Sequence, residues 1–514
     1  MSTVELWNGT DDRLSRWQDR ASDLFNPILV KEVRQSLKSR QFIITFLLLL
    51  TSAWVVTVGG LAWAGPLVEY TPAGHRFFMG YYFVLCVAAH VLVPISAYRS
   101  LLAERDFNTY DLLSITLLRP RQIVWGKLFG ALLQVLMFFS AVAPFIAFTS
   151  LMDGFDLPRA LLLMSLTLCI SLGTSMLGLM LATVSRQRHL QGVISMFFIG
   201  GLVSTFFSYQ AAVVGENVVA QVEFNGDFWR VLGTLLLVGV SYVILFQEVA
   251  VSQLTFESDN RSTGIRVIAA LQYLFWLIAI PIAARHFSRS MHLTGEVLTI
   301  YCVAAALHWT ALGMFFCVEP DELSRRLKRR LPRNSLLRLC LVPWLPGGSR
   351  GLLLLVFQLA LLPVAIVVLG YGLHMIEPGD VRRTLLLAAG CAGYVIFYLG
   401  LGAAIGQLFR PLLQPAHVRV ITLLIFAAGV IGPYFPQLLQ DSLPGGYEVL
   451  FVSNPLETLS EIDRGGVSGD VMMSMFILLI AAGLVLAWLL PRMVAGILEI
   501  WSPTITPPVT GGAS

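Results

Sequence analysis

The amino-acid sequence predicts an all-α polytopic integral membrane protein with about 12 transmembrane helices and with both termini in the cytoplasm. Of its 514 residues, 56% are hydrophobic and only 13% are charged, and the mean hydropathy is +0.75. Soluble globular proteins contain about 45–50% apolar and about 25% charged residues. A chain with half the usual charge cannot cover a water-soluble particle with polar groups, so much of its surface must contact lipid.

A helix needs about 20 predominantly apolar residues to cross a bilayer, and the sequence contains twelve windows of this kind. These windows are residues 41–63, 77–98, 128–150, 160–184, 191–211, 231–247, 267–284, 297–317, 351–374, 384–405, 420–439 and 471–490. An even number of crossings returns the C-terminus to the side of the membrane on which the N-terminus lies.

The segments that connect these windows carry Lys and Arg unevenly. With the N-terminus inside the cell, the cytoplasmic segments hold 27 of the 35 basic residues and the opposite loops hold 8. Basic residues accumulate on the cytoplasmic side of multi-pass proteins. We therefore expect an integral plasma (inner) membrane protein. Residues 1–40, 99–127 and the basic loop 318–350 should lie in the cytoplasm, and the segment 440–469 should lie outside.

The interior of the predicted spans is nearly free of ionisable side chains, because no Asp, Glu, Lys or Arg lies well inside one. Such residues usually mark proton relays, ion paths or voltage sensors, so their absence disfavours a proton-coupled carrier and a charge-lined channel. His90 and His308 are the candidates for titration at depth, and for each we expect a neutral, hydrogen-bonded imidazole. The six cysteines form no CxxC pair, so we expect neither a metal nor another cofactor.

Residues 25–40, FNPILVKEVRQSLKSR, lie directly before the first predicted span. Pro27 suits the first turn of a helix, and Asn26 suits its N-cap. Apolar residues then recur near helical spacing, with basic residues on the other face. This pattern predicts a helix that lies in the membrane interface rather than across it.

Residues 104–127, ERDFNTYDLLSITLLRPRQIVWGK, lie between the second and third predicted spans. Pro120 has no N–H to donate, so it breaks or restarts any helix here. The apolar segment before it suits insertion into a groove on a soluble partner. A short helix that lies on the bilayer is the alternative, and composition leaves both open.

Both stretches resemble motifs of the ABC-2 type transporter permeases. The first resembles the family's N-terminal elbow helix, NP-x-x-x-KE-x-R, through Asn26, Pro27, Lys31, Glu32 and Arg34. The second resembles its coupling-helix region through Glu104, Arg105, Thr109, Leu112, Leu113, Leu118, Arg121, Ile123, Gly126 and Lys127. Asn108, Asp111 and Pro120 depart from the family pattern, which affects the expected local helix geometry. The segment ahead of the last span, which contains Asn454-Pro455, also resembles the family's external segment.

The resemblance implies a permease subunit that works by alternating access. In that family the coupling region packs into an ATPase and passes nucleotide-driven motion to the helices. The implied partners are a separate ABC ATPase subunit in two copies, a second permease subunit in a homo- or heterodimer, and membrane lipid, with no nucleic acid. The uncharged spans suit an apolar or amphipathic substrate.

The chain carries no GxxxxGK[ST] motif, because Gly126-Lys127 is followed by Leu128 and Arg121 stands where the motif needs its first glycine. It therefore has no P-loop. Since no catalytic constellation is present either, we expect a chain that is not itself an enzyme and a partner that hydrolyses ATP.

The predicted organisation has four parts. The first is a cytoplasmic tail, 1–40, which contains the elbow helix 25–40. The second is an ABC-2-like six-helix unit, 41–248, with the coupling segment 104–127, and the third is a further six-helix region, 249–490, with the loop 318–350 and the external segment 440–469. The fourth is a partly disordered cytoplasmic tail, 491–514. The family core has six spans, so residues 249–450 represent added spans or a diverged second unit. Two alternative functions remain open. One is that of a secondary carrier or channel, and the other is that of a membrane scaffold.

Overall fold

A computed structural model describes most of the chain. The described residues are 27–65, 73–106, 119–184, 188–215, 223–256, 260–287, 295–329, 331–332, 334–409, 412–436, 447–465 and 468–501. All the regular secondary structure in these ranges is helical. The chain divides into two compact units, Met1–Thr255 and Phe256–Ser514, and the division falls between the sixth and seventh long apolar helices.

The described part of the first unit contains eight α-helices. They are α1 Pro27–Lys38, α2 Arg40–Ala64, α3 Gly74–Val87, α4 Val93–Asp106, α5 Pro120–Thr149, α6 Leu157–Val184, α7 Arg188–Gln210 and α8 Gly226–Leu254. A π-helical segment, Ala88–Leu92, joins α3 to α4 so that they form one long helix, and a second one, Ala211–Gly215, extends α7.

Among the described residues of the second unit there are nine α-helices. They are α9 Thr263–Phe287, α10 Gly295–Phe316, α11 Arg325–Arg329, α12 Ser335–Leu341, α13 Gly348–Val367, α14 Pro378–Leu408, α15 Pro415–Ile431, α16 Pro455–Asp463 and α17 Gly469–Leu498. Short 3-10 helices follow α12 and α15 and precede α16, and a π-helical segment, Val368–Gly372, extends α13.

Twelve helices in the described part of the chain are long and apolar enough to cross a membrane, and each predicted window falls on one of them. The predicted all-α, multi-pass fold class is therefore confirmed. Most helices begin before the corresponding window, and α5 begins at Pro120 instead of residue 128. A large share of their surface is apolar and exposed, as at Val55 and Trp63 of α2, which suits contact with lipid.

Pro120 begins α5 in the way that the sequence suggests. Its fixed φ suits the first helical position, where a backbone N–H has no partner within the helix. The backbone N–H of Arg119 donates to the side-chain oxygen of Gln122 at 2.9 Å, which satisfies a second group at this helix end. The restart of the helix at residue 120 places Arg121 and Lys127 in the first turns of α5.

In the second unit α14 is the central helix, since it packs against α10, α13, α15, α16 and α17. Close approach depends on small residues, which is typical of helix contacts in membranes. A Cβ at Gly400 would lie 2.7 Å from Val485 of α17, and one at Gly429 would overlap the hydroxyl of Tyr398. Glycine therefore sets the spacing on both sides of α14.

Candidate functional site

Four charged residues from both family-like stretches meet in the first unit. Lys127 Nζ of α5 lies 2.7 Å from Glu32 Oε1 of α1 and 3.2 Å from Glu104 Oε2 of α4. Lys31 Nζ of α1 lies 2.9 Å from Glu104 Oε1. We call these four residues the elbow cluster. It joins the helix before the first span to both flanks of the predicted coupling segment.

The elbow cluster is mostly shielded from solvent. The Lys127 side chain is 1% exposed, those of Glu32 and Glu104 are 13% and 12% exposed, and that of Lys31 is 51% exposed. A buried ammonium is costly unless it is paired and hydrogen-bonded. Its two carboxylates therefore hold α1 and α4 against the first turns of α5.

The backbones of α1 and α5 also come close at this point. Gly130 lies three residues after Lys127, hence on the same face of α5, and a Cβ there would lie 3.3 Å from the Cβ of Glu32. That distance is tighter than ordinary packing between side chains. A larger residue at 130 would push α1 away from Lys127, so glycine favours the docked position of the elbow helix.

Two more of the sequence-predicted residues connect the coupling segment to other helices of the first unit. Arg105 donates from Nη1 to the backbone carbonyl of Ala182, in α6, at 2.7 Å. Arg121 Nη2 lies 2.7 Å from Glu248 Oε2, in α8, on a more exposed part of the surface. The two flanks of the segment are thus tied to α1, α6 and α8.

The structure places the remaining sequence-predicted residues as follows. Pro27 begins α1, Arg34 is exposed on it, and Ile123 and Gly126 are buried in α5. The other predicted residues lie outside the described part of the chain, namely Asn26, Thr109, Leu112, Leu113 and Leu118. The flanks of the predicted coupling segment are therefore described, while its apolar centre is not.

A second charged network lies in the second unit, around two arginines with fully buried side chains. Arg266, in the first turn of α9, donates from Nη2 to Glu319 Oε2 at 2.7 Å and to the Gly347 carbonyl at 2.9 Å. Its Nη1 donates to the carbonyls of Pro343, at 3.2 Å, and Leu345. A guanidinium with five N–H donors suits this role, because it pairs with a carboxylate and satisfies turn carbonyls together.

Arg350, at the start of α13, forms the other half of the network. Its Nη1 donates to the Gly496 carbonyl at 2.9 Å and to Glu499 Oε2 at 3.1 Å, and its Nη2 donates to the Asp321 carbonyl. Arg492 donates from Nε to Asp321 Oδ2 at 2.6 Å. The network therefore ties the segment after α10 to the start of α13 and to the end of α17.

The environment lowers the pKa of two carboxyl groups in this network. For Asp321, burial opposes ionisation, but Arg492 and the hydrogen bonds from Ser349 outweigh burial and hold the pKa below its usual value. For Glu499, burial is likewise outweighed, by hydrogen bonds from Leu323, Lys328 and Arg350. Both groups are therefore ionised throughout the neutral pH range.

Sequence reasoning treated residues 318–350 as a basic loop, and it did not single out Glu319 or Asp321. In the structure Glu319 pairs with Arg266, Glu499 with Arg350, and Asp321 with Arg492. The sequence signal that exists is weak. Three acidic residues follow Cys317 within the next few positions, but their partners lie far along the chain.

The described residues contain no group of three or more His, Cys, Asp or Glu side chains that could hold a metal ion. No family model matches this chain, and neither a curated protein nor a solved structure matches it.

Proposed function

We propose that this chain is the transmembrane permease subunit of an ATP-binding-cassette transporter and that a separate ATPase subunit drives it. The observation that supports this proposal best is the elbow cluster. Two stretches that resemble different motifs of one permease family contribute Lys31 and Glu32 from one side and Glu104 and Lys127 from the other. A chance resemblance of either stretch gives no reason for the two sets of residues to meet.

The contacts around the coupling segment suit a part that transmits force. Its N-terminal flank is tied through Glu104 to α1 and through Arg105 to α6, and its C-terminal flank through Lys127 to α1 and through Arg121 to α8. A push on the segment therefore acts on several helices of the unit together. Buried pairs such as that of Lys127 resist separation far more than exposed pairs do.

The proposal includes the wider assembly that the family resemblance implies. Two ATPase subunits bind beneath two permease subunits, in a plasma (inner) membrane, and the substrate is an apolar or amphipathic molecule. The predicted spans carry no Asp, Glu, Lys or Arg well inside them, which suits an uncharged substrate.

Purification of the tagged protein from its native cells in a mild detergent tests the proposal. We expect an ATPase subunit to co-purify with the wild-type protein. In the double variant Leu112→Asp/Leu113→Asp we expect the ATPase to be lost, because an unpaired carboxylate in an apolar groove costs at least several kcal/mol. Membrane insertion and abundance should be unchanged, since neither residue lies in a span.

The matched control is the double variant Leu112→Met/Leu113→Met, which keeps an apolar surface of similar volume and should retain the ATPase. If the Asp variant still bound the ATPase, the coupling role of this segment would be wrong. If no ATPase co-purified even with the wild type, the permease assignment itself would be wrong, and a carrier, channel or scaffold would take its place.

A further inference from the structure

A cluster of hydroxyl groups lies within the helix bundle of the first unit, well away from the elbow cluster in sequence. The Tyr82 hydroxyl, on α3, lies 2.6 Å from Thr167 Oγ1 of α6 and 2.6 Å from the Tyr209 hydroxyl of α7. It also lies 3.2 Å from the carbonyl oxygen of Leu163. Three long apolar helices thus share one polar centre.

Two buried polar side chains beside this centre form no hydrogen bond of good geometry in the part of the chain that the structure describes. The first is His90, which is 2% exposed and in which both ring nitrogens lack such a bond. The second is Gln210, which is 6% exposed and in which the amide nitrogen and oxygen both lack one. Weaker contacts do reach them, from the Thr167 backbone to His90 and from the Cys86 thiol to Gln210. The rings of His90 and Tyr209 meet edge to face, with centroids 5.0 Å apart. We expected a hydrogen-bonded His90, and the observed arrangement is costly, because an unsatisfied buried group forfeits its hydration without compensation.

The backbone is irregular at the same two positions. His90 lies inside the π-helical segment Ala88–Leu92, and Gln210 directly precedes the π-helical segment Ala211–Gly215. Such segments are rare and occur frequently at functional sites. Ser171 donates to the carbonyl of Ala89 at 2.6 Å, so a side chain of α6 supports the widened turn. The irregular backbone and the poorly partnered side chains are independent observations, and both point to this place.

The chemistry of the surrounding side chains limits the class of ligand. Imidazole and amide groups offer both donors and acceptors, and no Asp, Glu, Lys or Arg lies in this part of the predicted spans. Stacked aromatic rings of Phe78 and Tyr82, with centroids 5.6 Å apart, provide an apolar surface next to the polar centre. A charged headgroup would lose its hydration here without a counter-ion, whereas a neutral hydroxyl or amide group can be fully satisfied.

We propose that His90 and Gln210 form a binding site for the neutral, hydroxyl- or amide-bearing end of an amphipathic molecule whose apolar body lies among the neighbouring aromatic side chains. The identification of this molecule with the transported substrate rests on the permease function proposed above. The existence of the site does not rest on that function, because the site is inferred from the polar centre alone.

Equilibrium binding to the full-length protein in lipid nanodiscs tests the site, with three radiolabelled amphiphiles that share a decyl chain. Decyl glucoside carries neutral hydroxyls, decanoate is anionic and decyltrimethylammonium is cationic, and empty nanodiscs report partition into lipid. We expect saturable binding of decyl glucoside alone. In His90→Leu and Gln210→Met we expect about tenfold weaker binding, the effect of one lost buried hydrogen bond.

Thermal stability provides a second readout. If these side chains had a purely structural role, their replacement would lower the thermal midpoint, whereas a binding role predicts that it rises. Because His90 and Gln210 form no hydrogen bond of good geometry, the same apolar substitutions should raise the thermal midpoint of the ligand-free protein. The matched control is Gln134→Met in α5, a buried glutamine outside this cluster, which should leave decyl glucoside binding unchanged. A fall in the midpoint of both site variants would make these side chains structural and would overturn the proposal.

Equal binding of the three amphiphiles, or equal loss of binding in Gln134→Met, would also overturn it, as would the absence of saturable binding. None of these measurements involves an ATPase. A bound glucoside without a co-purifying ATPase would refute the permease function and leave the site intact, and the converse result would refute the site alone.

Discussion

The ammonium group of Lys127 lies 2.7 Å from the carboxylate of Glu32, although 95 residues separate the two in sequence. Glu32 belongs to the short helix before the first span, and Lys127 belongs to the third span. The position of the N-terminal helix is therefore set by a side chain that lies two spans further along, and each of the two helices stabilises the other's charged residue.

We expect Lys127→Met to destabilise the first unit by about 3–5 kcal/mol, because two largely shielded carboxylates lose the buried cation that they share. The thermal midpoint in detergent, followed by size-exclusion chromatography, measures this loss. Lys31→Met is the control. Its side chain is half exposed, and such a pair contributes at most about 1 kcal/mol. Equal midpoints for the two variants would contradict the role of Lys127.

Hydropathy located all twelve spans because insertion into lipid depends on about 20 contiguous residues, which a single sequence displays directly. Some helix starts were also predictable from the sequence, because the effect of a proline such as Pro120 on the start of α5 is local. The motif residues of the elbow and of the coupling segment were also identified, but as two separate sets.

Their meeting was not predictable from one sequence. The windows left Lys127 just before the third span because a lysine opposes burial, and only the carboxylates of Glu32 and Glu104 make its burial tolerable. The same limitation hid Glu319 and Asp321, whose arginine partners lie on other helices. For His90, composition indicated depth, but the lack of a well-formed hydrogen bond depends on how three helices pack.

The charge distribution predicts the topology, and labelling of single cysteines in a cysteine-free background checks it. An impermeant maleimide added to intact cells should miss reporters at positions 36, 114 and 335, because 27 of the 35 basic residues lie in the segments on their side. It should reach reporters at 442 and 468. Permeabilised cells are the control, and labelling of position 114 from outside would reverse the arrangement.

The lowered pKa values of Asp321 and Glu499 predict a loss of stability in acid. A carboxyl group with a lower pKa in the folded than in the unfolded chain favours folding above its unfolded pKa, and this contribution is lost as the pH falls through its folded pKa. Unfolded values are about 3.9 for Asp and about 4.3 for Glu. We therefore expect constant thermal midpoints near neutral pH and a decline that begins near pH 4–5.

The variant Asp321→Asn should have a lower midpoint than the wild type at neutral pH and should lose less of it on acidification. Asp470→Asn, which changes an exposed carboxylate at the start of α17, serves as the control and should follow the wild-type curve. The same acid response in Asp321→Asn as in the wild type would contradict a contribution from Asp321.

Close packing at Gly429 predicts that Gly429→Ala destabilises the second unit by about 1–3 kcal/mol, since the new methyl group would overlap the Tyr398 hydroxyl. Tyr398 would have to leave the Ser453 carbonyl to which it donates. Gly483→Ala in α17 is the control, because a Cβ there meets no atom within 4 Å. The thermal midpoints of the two variants in detergent decide the point, and a midpoint for Gly429→Ala at or above that of the control would contradict it.

The buried arginine of α13 has a consequence for how the chain is made. Arg350 leaves the ribosome 149 residues before Glu499 does, so it must wait for this partner while the four helices α14 to α17 are synthesised. During that interval one guanidinium of the second unit lacks both its carboxylate and the carbonyl of Gly496. Translation that stops inside this interval therefore leaves Arg350 without the carboxylate of Glu499.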